Sequence, residues 1–155
     1  MPLLLAWLAV ERVSPPEKRE EGGVVERQII NPWRWQDEYG FVQANEVSDA
    51  RRVLYCAGQV SVDAEGNPLH PGDMRAQIAQ ALENLETVLE KAGFKMSDVA
   101  RLNFYTTDVE RTMEAWSLIK DRLTQTGCRQ ASTLLGVAGL YHPDILIEIE
   151  ATAVA

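Results

Sequence analysis

Residues 129–155 read RQASTLLGVAGLYHPDILIEIEATAVA, and the fold turns on how the end of this stretch is oriented. Ile145, Ile147 and Ile149 alternate with Leu146, Glu148 and Glu150. A period of two belongs to a strand, whose successive side chains point to opposite faces. Residues 132–137 carry the same strand character, and the turn His142-Pro143-Asp144 separates the two runs. With the isoleucines turned to a core, Leu146, Glu148, Glu150 and Thr152 share the other face. That face is too polar to be a core and too apolar to be plain surface. It is the kind of face on which copies of a chain meet, usually with closed cyclic symmetry.

Working back from this terminus, Met113, Trp116, Ile119, Lys120 and Leu123 recur at helical spacing, with Gly127 as the end. The segment DVARLNFYTTD before it alternates Leu102, Phe104 and Thr106 against Arg101, Asn103 and Tyr105, a strand pattern. The strongest helix lies earlier. Asp73 is placed to cap it, the stripe Met74, Ile78, Ala81, Leu82, Leu85, Val88, Leu89 and Ala92 supplies one apolar face, and Gly93 stops it. Glu83, Glu86 and Glu90 read as its solvated side. Three strand-like runs come first: VVERQII, GFVQANEV and RRVLYCAGQVSV. The order strands, helix, strand, helix, two strands predicts an α+β domain, a two-layer mixed sheet with two helices on one face.

Composition narrows the function. A chain of 155 residues with 46% apolar residues makes one domain. A net charge of −8 leaves no basic patch for phosphates, so neither nucleic acid nor an anionic membrane is an expected partner. Cys56 and Cys128 lie far apart, outside any metal or disulfide spacing, which fits a cytoplasmic protein. Cys56 reads as buried and inert, whereas Cys128, between Gly127 and Arg129, reads as an exposed loop thiol. With only His70 and His142 as imidazoles, no metal site is expected. The first ten residues, MPLLLAWLAV, are too short to span a bilayer, and ERVSPPEKREEGG after them has linker composition. Residues 1–23 are therefore assigned to an N-terminal extension and linker, and residues 24–155 to the domain.

Four segments together, YCAGQVSVD, GDMRAQIAQALENLETVLEKAG, DVARLNFYTTDV and IEIEATAV, resemble the YjgF family, also called the reactive intermediate deaminase or Rid family. The similarity runs over residues 31–155. It implies a chorismate-mutase-like fold and a homotrimer with a small-molecule cleft between neighbouring subunits. Its enzymes hydrolyse reactive enamines and imines to 2-keto acids and ammonia, without a cofactor. By the same resemblance Glu148 matches the family's glutamate, which positions water, Gly58 the glycine that approaches the ligand, and Phe41 a position often held by tyrosine. The family's substrate-binding arginine, in a P-A-R-S run, falls on Ser132, whose hydroxyl offers no charged fork. Arg129, three residues earlier, is the nearest cation on that segment. Trp116 stands where the deaminase branch has asparagine. Two functions follow from this pattern: a cofactor-free imine hydrolase acting through Glu148, or a metabolite-binding trimer that keeps the cleft without turnover. Glu150 is expected to pair with Arg101 or with another subunit.

Overall fold

The computed structural model describes residues 25–155; the extension assigned to residues 1–23 lies outside them. The main sheet has four strands in the order β3-β6-β4-β5, from β3 (Val53–Val60), β4 (Val99–Thr106), β5 (Ala131–Gly136) and β6 (Ile147–Val154). β6 runs antiparallel to both β3 and β4, while β4 and β5 are parallel. A parallel pair needs a crossover, supplied here by α2 (Val109–Glu114) and α3 (Trp116–Gln125). The second helical run is thus two pieces, broken at Ala115, the first capped by Asp108, which accepts from the Arg111 amide.

α1 (Met74–Lys91) begins where the sequence places it, with the Asp73 carboxylate accepting from the Ala76 amide at 3.0 Å. Ile78, Leu82, Leu85 and Leu89 of α1 and Ile119 and Leu123 of α3 pack with Leu102, Phe104, Ile147 and Ile149 of the sheet. Removing this apolar surface from water is the main term that holds the two layers together. Along β6, Ile147, Ile149, Ala151 and Ala153 are buried, whereas Glu148, Glu150 and Thr152 are half-buried. The alternation read from the terminus is the alternation observed.

Gln77 fixes the entry to β6. Wholly buried, it accepts from the Leu146 amide at 2.8 Å and donates to the carbonyls of Asp144 (2.6 Å) and His70 (3.1 Å). A buried amide with both ends satisfied holds its partners in register, because each lost bond leaves an unpaired group. The strand that carries Glu148 is therefore tied to α1 just before it starts.

Three expectations are corrected. Cys128 is buried, not an exposed loop thiol. α3 ends in a left-handed turn at Gly127 (φ +68°), the Cys128 amide donates back to the Leu123 carbonyl at 2.9 Å, and the thiol lands in the core. Burial pushes its pKa up to about 12. Glu86 is not simply solvated: Arg122 of α3 donates to it through Nε (2.6 Å) and through a second, shorter bond, tying the two helices. Finally, β1 (Glu26–Ile30) and β2 (Ala44–Ser48) form their own antiparallel pair instead of extending the main sheet. One bridge, Val42 to Ala131, joins this segment to β5. Beyond it, side chains replace the ladder: Arg27 donates to the carbonyls of Ser97, Val99 and Arg129, and Asn45 to those of Ala100 and Arg129.

Candidate functional site

The face of the sheet away from the helices carries Glu148. In the ladder it stands opposite Tyr105 of β4 and Val60 of β3. Between Cys56 and Gln59 the register of β3 against β6 slips, and Gly58 lies in that irregularity. A Cβ added to Gly58 would sit 1.6 Å from Glu148 Oε1, 2.4 Å from Cδ and 2.6 Å from Cγ. The glutamate side chain therefore lies directly on the glycine backbone, in space that any other residue would fill. Gly58 and Glu148 form one unit for steric reasons, since Gly58 has no positive φ to explain its identity.

Around this unit the groups are mixed. Tyr105 donates to Glu150 Oε2 at 2.7 Å, so Glu150 is engaged by tyrosine, while Arg101 donates to Thr133 Oγ1 at 3.1 Å. Hydrogen bonding to Glu150, then burial and the charges of Glu150 and Glu148, raise the Tyr105 phenol above its ordinary value of 10.0. Asn103 Oδ1 is buried and has no partner. Tyr55, at 80% exposed, and Leu135, at 48%, give the face large apolar groups in contact with water. Tyr105 escaped attention in the sequence, although its alternation with Phe104 already set it on the side opposite the core.

Phe41, Trp116 and Ser132 come together elsewhere. Ser132 pairs with Leu102 and Leu134 with Phe104, and paired residues in a ladder share a face, so both point to the helix side, opposite Glu148. There they line a pocket of about 230 Å³ with Phe41, Trp116, Trp35 and Tyr39. Trp116 also meets Phe104 edge-on, with ring centroids 5.2 Å apart, so it belongs to both core and pocket wall. Trp35 and Tyr39 lie between the runs VVERQII and GFVQANEV, in a stretch with neither strand nor helix periodicity. Arg129 is exposed and lines a separate groove of about 290 Å³, shared with Phe41, Asn31 and Thr124. Within one chain, then, Glu148 and Gly58 are close, Phe41, Trp116 and Ser132 are close, and the two groups occupy opposite sides of the sheet. Among the described residues no group of three or more His, Cys, Asp or Glu is placed to hold a metal ion, and no helix is long and apolar enough to cross a membrane.

The sequence model of the endoribonuclease L-PSP family matches residues 37–155, the whole of the main sheet and its helices. The chain belongs to the YjgF/Rid family. A RutC family protein of Pyrococcus horikoshii is 31% identical over 104 residues, covering 67% of this chain and 80% of that protein. Among solved structures, the Rid family protein YyfB of Yersinia pestis, described as of unknown function, is 35% identical with a TM-score of 0.76, over 83% of this chain and 98% of that one. The YjgF gene product of E. coli is 28% identical with a TM-score of 0.59, over 73% and 86%. The Rid sheet and helices account for the whole described core, with β1 leading into it.

Proposed function

We propose that the protein is a cofactor-free hydrolase of imines or enamines, with Glu148 as the group that handles water. The observation that carries this reading is the Glu148 side chain laid against the backbone of Gly58. A carboxylate on such a seat is held in one place, and it can take a proton from water as the oxygen attacks the imine carbon. The resulting carbinolamine loses its amine when the proton is delivered to nitrogen and the C–N bond breaks. Imine and water give 2-keto acid and ammonia, with no electron left over. Glu150, engaged by Tyr105, adds negative charge that favours a protonated iminium at the same face. Arg129 and amides beside Gly58 are the donors available for a substrate carboxylate.

The separation of the two residue groups supports an oligomer. In a homotrimer, the Phe41, Trp116 and Ser132 pocket of one subunit meets the Glu148 face of the next, and neither half is complete alone. The exposed Tyr55 and half-exposed Leu135 on the Glu148 face fit that use. Two free, buried cysteines fit a cytoplasmic location. Cleavage of RNA, the activity in the family model's description, is a poor match to a charge of −8.

Subunit complementation tests the composite site. Glu148→Gln and Ser132→Leu chains, each inactive as pure oligomers, are co-expressed with different tags, and mixed oligomers are isolated through both. Recovery of keto-acid release from freshly generated small-chain and ring-bearing imines in the mixture is the expected result. Inactive mixed oligomers from two well-folded variants would refute a site shared between subunits.

A further inference from the structure

The pocket around Trp116 has a composition that selects its ligand. Trp35, Tyr39, Phe41, Trp116, Met113 and Leu134 supply its walls, and no lining side chain is charged. Trp35 stands edge-on to Phe41, with centroids 5.7 Å apart, and to Tyr39 at 6.4 Å. Such rings present edges and faces to whatever enters between them. The Trp116 indole N–H is already spent on the Tyr39 carbonyl at 2.9 Å. The Ser132 hydroxyl is not: its oxygen is buried and has no partner in the protein. A buried hydroxyl without a partner costs free energy, which a ligand atom recovers once the Ser132 side chain turns its covered oxygen toward the pocket.

The walls are also held in place before any ligand arrives. The turn Trp35–Glu38 rests on Gln36, which is fully buried. Its exit is pinned by the Tyr39 carbonyl to Trp116, and by the Gly40 carbonyl, which accepts from Gln130 at 3.2 Å. Gly40 (φ +79°) packs against Lys120 of α3, where a Cβ would stand 3.0 Å from Lys120 Cγ. A pocket built this way spends little on ordering when it binds. Its volume of about 230 Å³ is room for one aromatic ring, and in the single chain the concavity is open on one side, where Trp35 is 57% exposed.

Resting on the hydrolase reading for the reaction itself, we infer that this pocket receives the side chain of the substrate, and that the preferred substrates are imines of amino acids with an uncharged aromatic ring. One polar atom on the ring, such as an indole N–H or a phenol O–H, pairs with Ser132. The absence of a lining arginine or lysine argues against an acidic side chain. Methyl and ethyl side chains leave most of the pocket empty, so 2-aminoacrylate and 2-iminobutanoate are poor substrates by comparison.

Two measurements on the full chain separate this inference from the activity. First, binding of indole, p-cresol, toluene and tetramethylammonium is followed by calorimetry, which needs no turnover. Indole and p-cresol are expected to bind, with Ser132→Ala weakening both severalfold while leaving toluene and thermal stability unchanged, and Ser132→Leu abolishing all three. Binding of tetramethylammonium in place of the neutral rings, or no ring binding by the folded wild type, overturns the pocket assignment. Second, imines generated in situ by an amino acid oxidase from phenylalanine, tryptophan and 2-aminobutyrate are compared as substrates. A preference of roughly tenfold or more in kcat/KM for the ring-bearing imines is expected. Hydrolysis of all three at equal rates overturns the substrate class while sparing the hydrolase reading; ring binding with no turnover of any imine sinks the hydrolase reading while leaving the pocket assignment standing.

Discussion

Replacing Gly58 with alanine tests the steric seat of Glu148. The new methyl carbon would lie 1.6 Å from Glu148 Oε1, and ordinary contact begins at 3.4 Å, so the carboxylate oxygen must retreat by at least ~1.8 Å. Cδ at 2.4 Å and Cγ at 2.6 Å must move as well, which demands a different rotamer. Because the side chain is half-buried and can turn toward solvent when displaced, the stability cost belongs at the low end for overpacking, about 1 kcal/mol, or a few degrees of Tm. The catalytic cost is larger, since a misplacement of about 1 Å lowers a rate roughly 100-fold. A double-mutant cycle isolates the contact, because all three clashing atoms are absent from alanine at position 148. Urea unfolding and keto-acid release are measured for wild type, Gly58→Ala, Glu148→Ala and the double variant. Gly58→Ala should destabilise the wild type but not the Glu148→Ala background. Equal costs in both backgrounds, together with activity of Gly58→Ala within twofold of wild type, would refute the seat.

Four further outcomes follow from the packing. In the native protein at pH 8 both thiols should resist an aromatic disulfide reagent and react only after unfolding. The Cys128 thiol titrates near 12 when folded against 9.0 ordinarily, so its contribution to stability is full below pH 9 and is lost as pH rises from there toward 12; Cys128→Ala should flatten that alkaline decline. Arg122→Ala should lower stability by about 0.5–1 kcal/mol in low salt and by less at 1 M salt, since the pair with Glu86 is partly exposed. By ultraviolet titration, the component lost on Tyr105→Phe should ionise above pH 10.0 in the wild type and shift downward in Glu150→Ala, the largest cause of the shift, the hydrogen bond to Glu150, having been removed.

The helix α1 was legible in full because its signals are local: a capping aspartate, a stripe at 3.6-residue spacing, and a glycine at the left-handed exit. The two faces of β6 were legible for the same reason, since alternation needs no partner to be seen. What depends on distant pairing was not. Nothing near Cys128 in the chain reveals that the turn at Gly127 folds the thiol into the core, or that Glu86 meets Arg122 36 residues away. The β1–β2 pair meets the main sheet through side chains, Arg27 and Asn45 donating to the Val99 and Ala100 carbonyls at the start of β4, and no local signal in the chain announces such contacts. For the site, family resemblance indicated Gly58 and Glu148, and the fold supplies the contact that joins them. Ser132 could be aligned from sequence, but its facing is set by the register of β5 against β4, which alignment does not report. Trp35 and Tyr39 carry no periodic signal, so their role as pocket walls emerges only from where their turn docks.

The central claim is that Glu148 handles water in imine hydrolysis. Its most direct test is the rate of keto-acid release from freshly generated ring-bearing and small-chain imines, scored against semicarbazide trapping, for wild type and Glu148→Gln at equal oligomer concentration. Acceleration by the wild type that falls to the uncatalysed rate in Glu148→Gln, with thermal stability retained, is the expected result. Equal acceleration by both proteins, or none by a well-folded wild type, would contradict it.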